Sequence, residues 1–164
     1  MAADLILGID PGLNGALALL DIASHEIAEL YDMPVLALKS KRELDAYRLA
    51  HIIDNHAHEI AEVWIEHVWT RPGEGGPAGF KFGEAFGLVK GVCYASFLPL
   101  HEVSPQKWKA AMGVATGDKD DSRKAASILF PIGSARWPLV KHQGRADAVL
   151  IASYGKRQFQ KLAA

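Results

Sequence analysis

Apolar and polar positions alternate with turn signals from the start of the chain. Leu5-Ile6-Leu7-Gly8-Ile9-Asp10 is a short apolar run that ends on a carboxylate, which predicts a buried strand. Pro11-Gly12 and Asn14-Gly15 supply turn residues, so Ala16 to Leu20 reads as a second strand folded back on the first. A third strand is predicted from Glu26 to Met33, completing an antiparallel meander. Ser40-Lys41-Arg42-Glu43 has the form of a capping box, and beyond it Ala46, Leu49, Ala50, Ile53, Ala57 and Ile60 recur at helical spacing. Ala61 to Glu66 is a further strand that ends on a carboxylate.

Residues 71–79 are too rich in Gly and Pro for regular structure and predict a mobile loop. Phe82 to Phe97 suits a helix in which Gly83, Gly87, Gly91 and Ala95 recur every four positions, a stripe that lets another helix come close. A short strand at Leu100 to Val103 follows, then helical segments near 105–112 and 119–130, the latter stopped by Pro131. The last helix begins around Gly144 and runs toward Phe159. Three strands, helix, strand, helix, strand, then helices predict an α/β layer architecture with a mixed sheet.

At 164 residues, 49% hydrophobic and 23% charged, the chain reads as one ordinary globular domain, residues 1–164. No apolar run reaches membrane-spanning length, and acidic Asp4 precedes the first strand where a secretory leader would be basic. The single cysteine, Cys93, excludes an intramolecular disulfide and a multi-cysteine metal site. The expected location is the cytoplasm, or an organelle if a transit peptide has been removed. The formal charge of -1 conceals a division. Residues 1–103 hold 7 Lys/Arg and 15 Asp/Glu, a net -8, whereas residues 104–164 hold 11 and 4, a net +7. A chain divided in this way can offer a basic surface to phosphates while keeping carboxylates elsewhere.

Asp10 and Glu66 close otherwise apolar strands, and Asp147 lies in Arg145-Ala146-Asp147-Ala148-Val149-Leu150-Ile151-Ala152, a segment apolar nearly all round. A carboxylate in such company is costly to keep ionised unless something compensates it. A divalent cation does so, and hard oxygen ligands suit Mg²⁺ or Mn²⁺. Each acid also has a plainer role open to it: Asp10 as a turn residue, Glu66 as a strand end, Asp147 as a cap or a partner of Arg145.

Gly8-Ile9-Asp10-Pro11-Gly12, Ile65-Glu66-His67-Val68 and Arg145 to Ala152 occur in the order and at the spacing of RuvC-type Holliday junction resolvases. The resemblance spans nearly the whole chain, and Gly144-Arg145-Ala146-Asp147-Ala148 with Tyr154-Gly155 looks most similar to the phage and chloroplast branch. It implies an RNase H-like fold, a mixed five-stranded sheet flanked by helices. It also implies a catalytic, metal-binding trio of Asp10, Glu66 and Asp147 with two Mg²⁺ per site, Mn²⁺ able to substitute. Bacterial relatives often carry another Asp or a His at the position occupied here by Gly144, and His142 just ahead is a candidate to supply that group as ligand or proton carrier. An exposed loop histidine without a role is the alternative.

Segments 104–109 and 117–124 resemble family stretches that contact phosphates, which makes Lys107 and Lys119 the leading DNA-binding candidates, followed by Arg123, Lys124 and Arg145. Trp69 matches the place of a junction-centre aromatic that can stack on unpaired bases. The histidines 51, 56 and 58 read as a surface set, and His67, next to Glu66 on a strand end, should point the other way. The resemblance implies a four-way DNA junction as substrate and no membrane partner. A two-fold substrate calls for a symmetric homodimer, with helix 82–97 as its interface or, equally, packed on its own sheet. Three other readings stay open: an RNase H-like nuclease acting on RNA or RNA–DNA hybrids, an actin-like ATPase, for which the chain is short, and a junction-binding protein without catalysis.

Overall fold

The computed structural model describes residues 3–39, 41–67, 76–114, 118 and 120–163. Strands β1 (Leu5–Asp10), β2 (Ala16–Asp21) and β3 (Ile27–Asp32) form the expected antiparallel meander. Strands β6 (Ile60–Glu66) and β7 (Leu100–Val103) add to it in parallel, giving the order β3-β2-β1-β6-β7. Parallel neighbours need crossover segments, and helices α1 (Ala46–His56) and α2 (Pro77–Ala95) supply them. The mixed five-stranded sheet flanked by helices is therefore present.

The central strands bury both faces, which is why β1 and β2 read as continuous apolar runs. Leu5, Leu7, Ile9, Leu17 and Leu19 pack against Leu49 and Ile53 of α1 and Val89 and Cys93 of α2. The alternate residues Ile6, Ala16, Ala18 and Leu20 pack on the opposite side with Ala148, Val149 and Ala152 of α5 (Gln143–Ala163). That second layer also holds Trp108 of α3 (Pro105–Ala111) and Ala126 of α4 (Asp121–Leu129).

The close contact between α5 and β1 depends on Gly8. A Cβ there would overlap the Ala148 carbonyl oxygen and the Ala152 backbone, so any other residue would lift the helix off the sheet.

Several boundaries differ from the sequence reading. Arg42–Leu44 is not a helix start but strand β5, paired with β4 (Val35–Ala37) in a small two-stranded sheet. Helix α1 begins after Asp45, whose side chain accepts from Arg48 N at 3.0 Å. A nearer N-cap thus replaces the anticipated box, whose Ser40 lies outside the described residues. Ile60 also leaves the helical periodicity to open β6. Residues 77–79, anticipated as loop, belong to α2, with Pro77 in its first turn where the missing N–H costs nothing; 71–75 lie outside the described residues. The small-residue stripe of α2 resolves one open alternative: Gly83, Gly87, Gly91 and Ala95 are exposed, while Val89 and Cys93 face the sheet. No helix among the described residues is long and apolar enough to cross a membrane.

Candidate active site

Asp10, Glu66 and Asp147 come together at one end of the sheet, on the α5 side. Asp10 shares the face of Ile6 and Gly8, and Glu66 that of Trp64, because alternate residues of a strand point the same way. Asp147 arrives from the first turns of α5. All three carboxyls are held above their usual range, first of all by burial. For Asp10 the negative charges of Asp147 and Glu66 add to the burial, and its carboxyl is raised to about 7, only partly offset by a hydrogen bond from Gly12 N at 3.2 Å.

The supporting groups are specific. The indole Nε1 of fully buried Trp108 donates to Glu66 Oε2 at 2.7 Å. Ser122, buried on α4, lies beside the Asp147 side chain and partly offsets its burial, and Gln143 Nε2 reaches Asp147 Oδ2 at 3.5 Å. Asp147 Oδ1, by contrast, is buried with no hydrogen-bond partner among the described residues. A buried carboxylate oxygen without a donor is destabilising unless a cation sits against it. Lys109 is the cation that acts on all three acids, and its ammonium lies 5.3 Å from the centre of the Trp108 ring.

Among the described residues, no group of three His, Cys, Asp or Glu side chains is drawn close enough to enclose an ion as it stands. The mutual repulsion of the carboxylates opposes that closure. Their hard oxygens, the raised carboxyls and the unpartnered Oδ1 nevertheless fit a divalent cation.

Gly144 owes its identity to packing. A Cβ there would overlap the Asn14 carbonyl and the Gly15 backbone, so an acidic side chain has no room at this position. His142 does not fill the gap. Its Nδ1 accepts from Leu139 N at 3.4 Å, and the charges that act on it belong to Arg145, Lys141, Asp32 and Arg123 rather than to the trio.

Arg145 grips Asp32 with two bonds of 2.6 Å and donates to Arg136 O at 2.7 Å, which anchors the start of α5 over β3 two residues before Asp147. Arg123 is likewise engaged, with Asp120 and the Trp137 carbonyl. Lys124 is exposed and paired with Asp118 and Asp121, and Lys107 is exposed on α3. Trp69 and Lys119 lie outside the described residues. His67 turns to the other face, as its position in the strand predicts, bonding Glu102 and meeting the Phe86 ring at 6.0 Å.

Trp108, Lys109, Ser122 and Gln143 were not singled out from sequence. One signal was available: a tryptophan in an amphipathic helix that must be buried needs an acceptor for its N–H.

An antiparallel meander extended by two parallel strands, with a helix laid across the middle and acids at its open end, is the RNase H-like fold. No family model matches the chain. Two solved structures of RuvC from Thermus thermophilus share its fold from end to end. One is in complex with a Holliday junction substrate (TM-score 0.64, 18% identity, 96% of each chain covered). The other is a further structure of Thermus thermophilus RuvC (TM-score 0.60, 16% identity, 96% of each chain covered). The chain therefore has the RuvC fold.

Proposed function

We propose that this chain is a structure-selective DNA endonuclease that resolves four-way junctions by metal-assisted phosphodiester hydrolysis. One observation carries the reading: on a RuvC fold matched over 96% of both chains, three acids from β1, β6 and α5 meet with raised pKa values and one buried oxygen unpartnered. Asp10, Glu66 and Asp147 would hold the ions. When bound, two Mg²⁺ (or Mn²⁺) would supply an acidified water and neutralise the departing 3′ oxygen, leaving a 5′ phosphate.

The chain's own residues prepare that chemistry. Trp108 fixes one Glu66 oxygen, so the other is free to turn inward. Ser122 and Gln143 aim Asp147, and the Arg145–Asp32 clamp holds the turn of α5 that carries it. Lys109 lowers the cost of gathering three negative charges and can meet the phosphate that joins them. Lys107, Lys124, Lys119 and Trp69 remain proposed DNA contacts. Arg145 and Arg123 act first as internal struts, Arg145 tied to Asp32 and the Arg136 carbonyl and Arg123 to Asp120 and the Trp137 carbonyl, and the N–H groups these bonds leave over keep both as proposed DNA contacts. His142 is not assigned to catalysis.

We assign the dimer to α2. A Cβ added at Gly83, Gly87 or Gly91 would meet nothing within 4 Å beyond its own helix among the described residues, and the largely apolar hollow beside the stripe, lined by Leu44, Leu88 and Val92, has a volume of about 870 Å³. A second copy of α2 would fill it and set two carboxylate sites in the two-fold arrangement that symmetric nicks require.

A labelled four-way junction incubated with and without Mg²⁺ tests the proposal. The expected result is paired symmetric nicks in Mg²⁺ only, with Asp10→Asn binding the junction uncut. An Asp10→Asn protein that still cuts overturns the site. Binding without nicks by the unaltered protein would make it a junction-binding module, and faster cutting of an RNA–DNA hybrid would move the substrate.

A further inference from the structure

A second feature lies outside the carboxylate cluster. The turn after β1, strand β5, the start of α1 and the short turn before α5 enclose an open trough of about 630 Å³. Arg42, Arg48, Lys141 and Arg145 line it together with His142, and among the described residues Asp32 is its only carboxylate. That carboxylate is already taken by the two bonds from Arg145.

Arg48 and Lys141 are exposed and enter no ion pair among the described residues. Arg42 donates to Asn14 Oδ1 at 2.7 Å and to the Leu13 carbonyl at 3.0 Å, leaving three of its N–H groups for another partner. Cations gathered around a single spent acid repel one another, and an anion laid along the trough relieves that repulsion.

We propose that this trough is a second phosphate-binding surface, which holds the backbone of a nucleic-acid strand as it leaves the carboxylate site. The inference rests on the nuclease reading and extends it. Position singles out a nucleic-acid backbone over other polyanions. Asp10, Ala16 and Asp32 pair across three adjacent strands, so Asp32 lies about 10 Å from Asp10 on the same face. At 3.4 Å per nucleotide along one strand, a chain with a phosphate at the trio reaches the trough within about three nucleotides. The walls also connect the two places, since Leu13 to Gly15 follow the turn whose Gly12 N binds Asp10. Among the described residues, the three cations with N–H groups to spare, Arg42, Arg48 and Lys141, come from β5, α1 and the turn before α5, two of them from the acidic half of the sequence.

The test is binding of a four-way junction and of a plain duplex in EDTA, across salt from about 50 to 200 mM. Each phosphate contact contributes close to one unit to the slope of log K against log salt, so Arg48→Ala/Lys141→Ala should lower it by about two on both DNAs. Lys141→Arg should keep the original slope. An unchanged slope in the double variant overturns the proposal. So does lost affinity at constant slope, or a slope that Lys141→Arg also lowers, because either means the changes act on the fold. Poly-glutamate that competes with DNA charge for charge, and loses its hold in the double variant, would overturn it in favour of an acidic protein partner. A protein that shows the expected slopes yet never nicks a junction would keep the trough and remove the nuclease reading.

Discussion

Strands β1 and β2 share one sequence pattern, five buried residues followed by a half-buried aspartate, and their two aspartates are opposites. Asp21 accepts from the Ser24 backbone N–H at 2.7 Å and the Ser24 hydroxyl at 2.9 Å, and these bonds hold its carboxyl below the usual range. Asp10 receives one longer backbone bond, lies beside two other acids, and is raised to about 7. Asp21 is a satisfied turn residue at one end of the hairpin. Asp10, at the other end, is a buried carboxylate crowded by two others. An apolar strand ending in Asp is thus no mark of an active site; the company of the Asp decides.

The sharpest way to break this contrast is to neutralise each acid in turn. Asp10→Asn should lower junction cutting by about 1,000-fold or more, since the proposed metal site would lose one of its ligands. In the same variant the metal-free protein should melt higher at pH 8, because a repelling buried charge is gone. Asp21→Asn should leave cutting unchanged and cost about 1 kcal/mol of stability in denaturant melts, from weaker turn bonds.

Placing an acid at position 144, where the family pattern has one, should fail to improve activity. Gly144→Asp forces α5 away from the Asn14–Gly15 turn, and a destabilisation of about 1–3 kcal/mol is expected from overpacking. Gly144→Asp cutting faster than the parent at equal stability would show that the turn yields.

Trp108→Phe keeps an aromatic ring, removes the donor to Glu66 and leaves a small void where the rest of the indole was packed. The expected loss is about 10-fold in apparent Mg²⁺ affinity, read as a higher half-saturating Mg²⁺ for cutting at a temperature well below the melting point, which the void itself lowers. An unchanged Mg²⁺ requirement would mean that Glu66 needs no such hold.

The smallest effect is in the pH profile of metal-free stability, where the two aspartates act with opposite sign. Asp10 binds its proton more tightly folded than unfolded, so its contribution falls as pH rises from about 4 through 7. Asp21 binds its proton less tightly when folded, so its contribution is present above its unfolded value near 3.8 and is lost as pH falls through its lower folded value. Thermal melts in EDTA should decline from pH 5 to pH 8 in the parent and not in Asp10→Asn. Added Mg²⁺ should raise the melting temperature more at pH 8 than at pH 5. A parent profile that is flat above pH 5 would contradict the placement of Asp10.

Much of the fold was legible in residue pattern. β7 begins and ends where alternation and turn residues place it, and β3 is within a residue at each end. The misreading at 40–43 has a local cause: Glu43 three residues after Ser40 satisfies the capping-box pattern, yet Asp45 caps from nearer the helix. Strands β4 and β5 escaped notice because three-residue strands carry too little periodicity to register. Of the site, the three acids were visible because each breaks an apolar run. Trp108, Lys109 and Ser122 were not, since each looks like an ordinary member of a surface helix until the sheet is placed beside it.

Sequence alone therefore determined the strands, the crossover helices and the three carboxylates, because apolar periodicity and ionic cost are properties of short stretches. Tertiary structure decided what those carboxylates are. Asp21 takes its bonds locally from Ser24, whereas the packing of three strands and a helix brought Asp10, Glu66 and Asp147 together and left Asp147 Oδ1 without a donor among the described residues. It set Gly144 where no side chain fits, tied Arg145 to Asp32 across the fold, and gathered Arg42, Arg48 and Lys141 into one trough. Such distinctions depend on which atoms come within about 3 Å of one another, and only the folded chain fixes those distances.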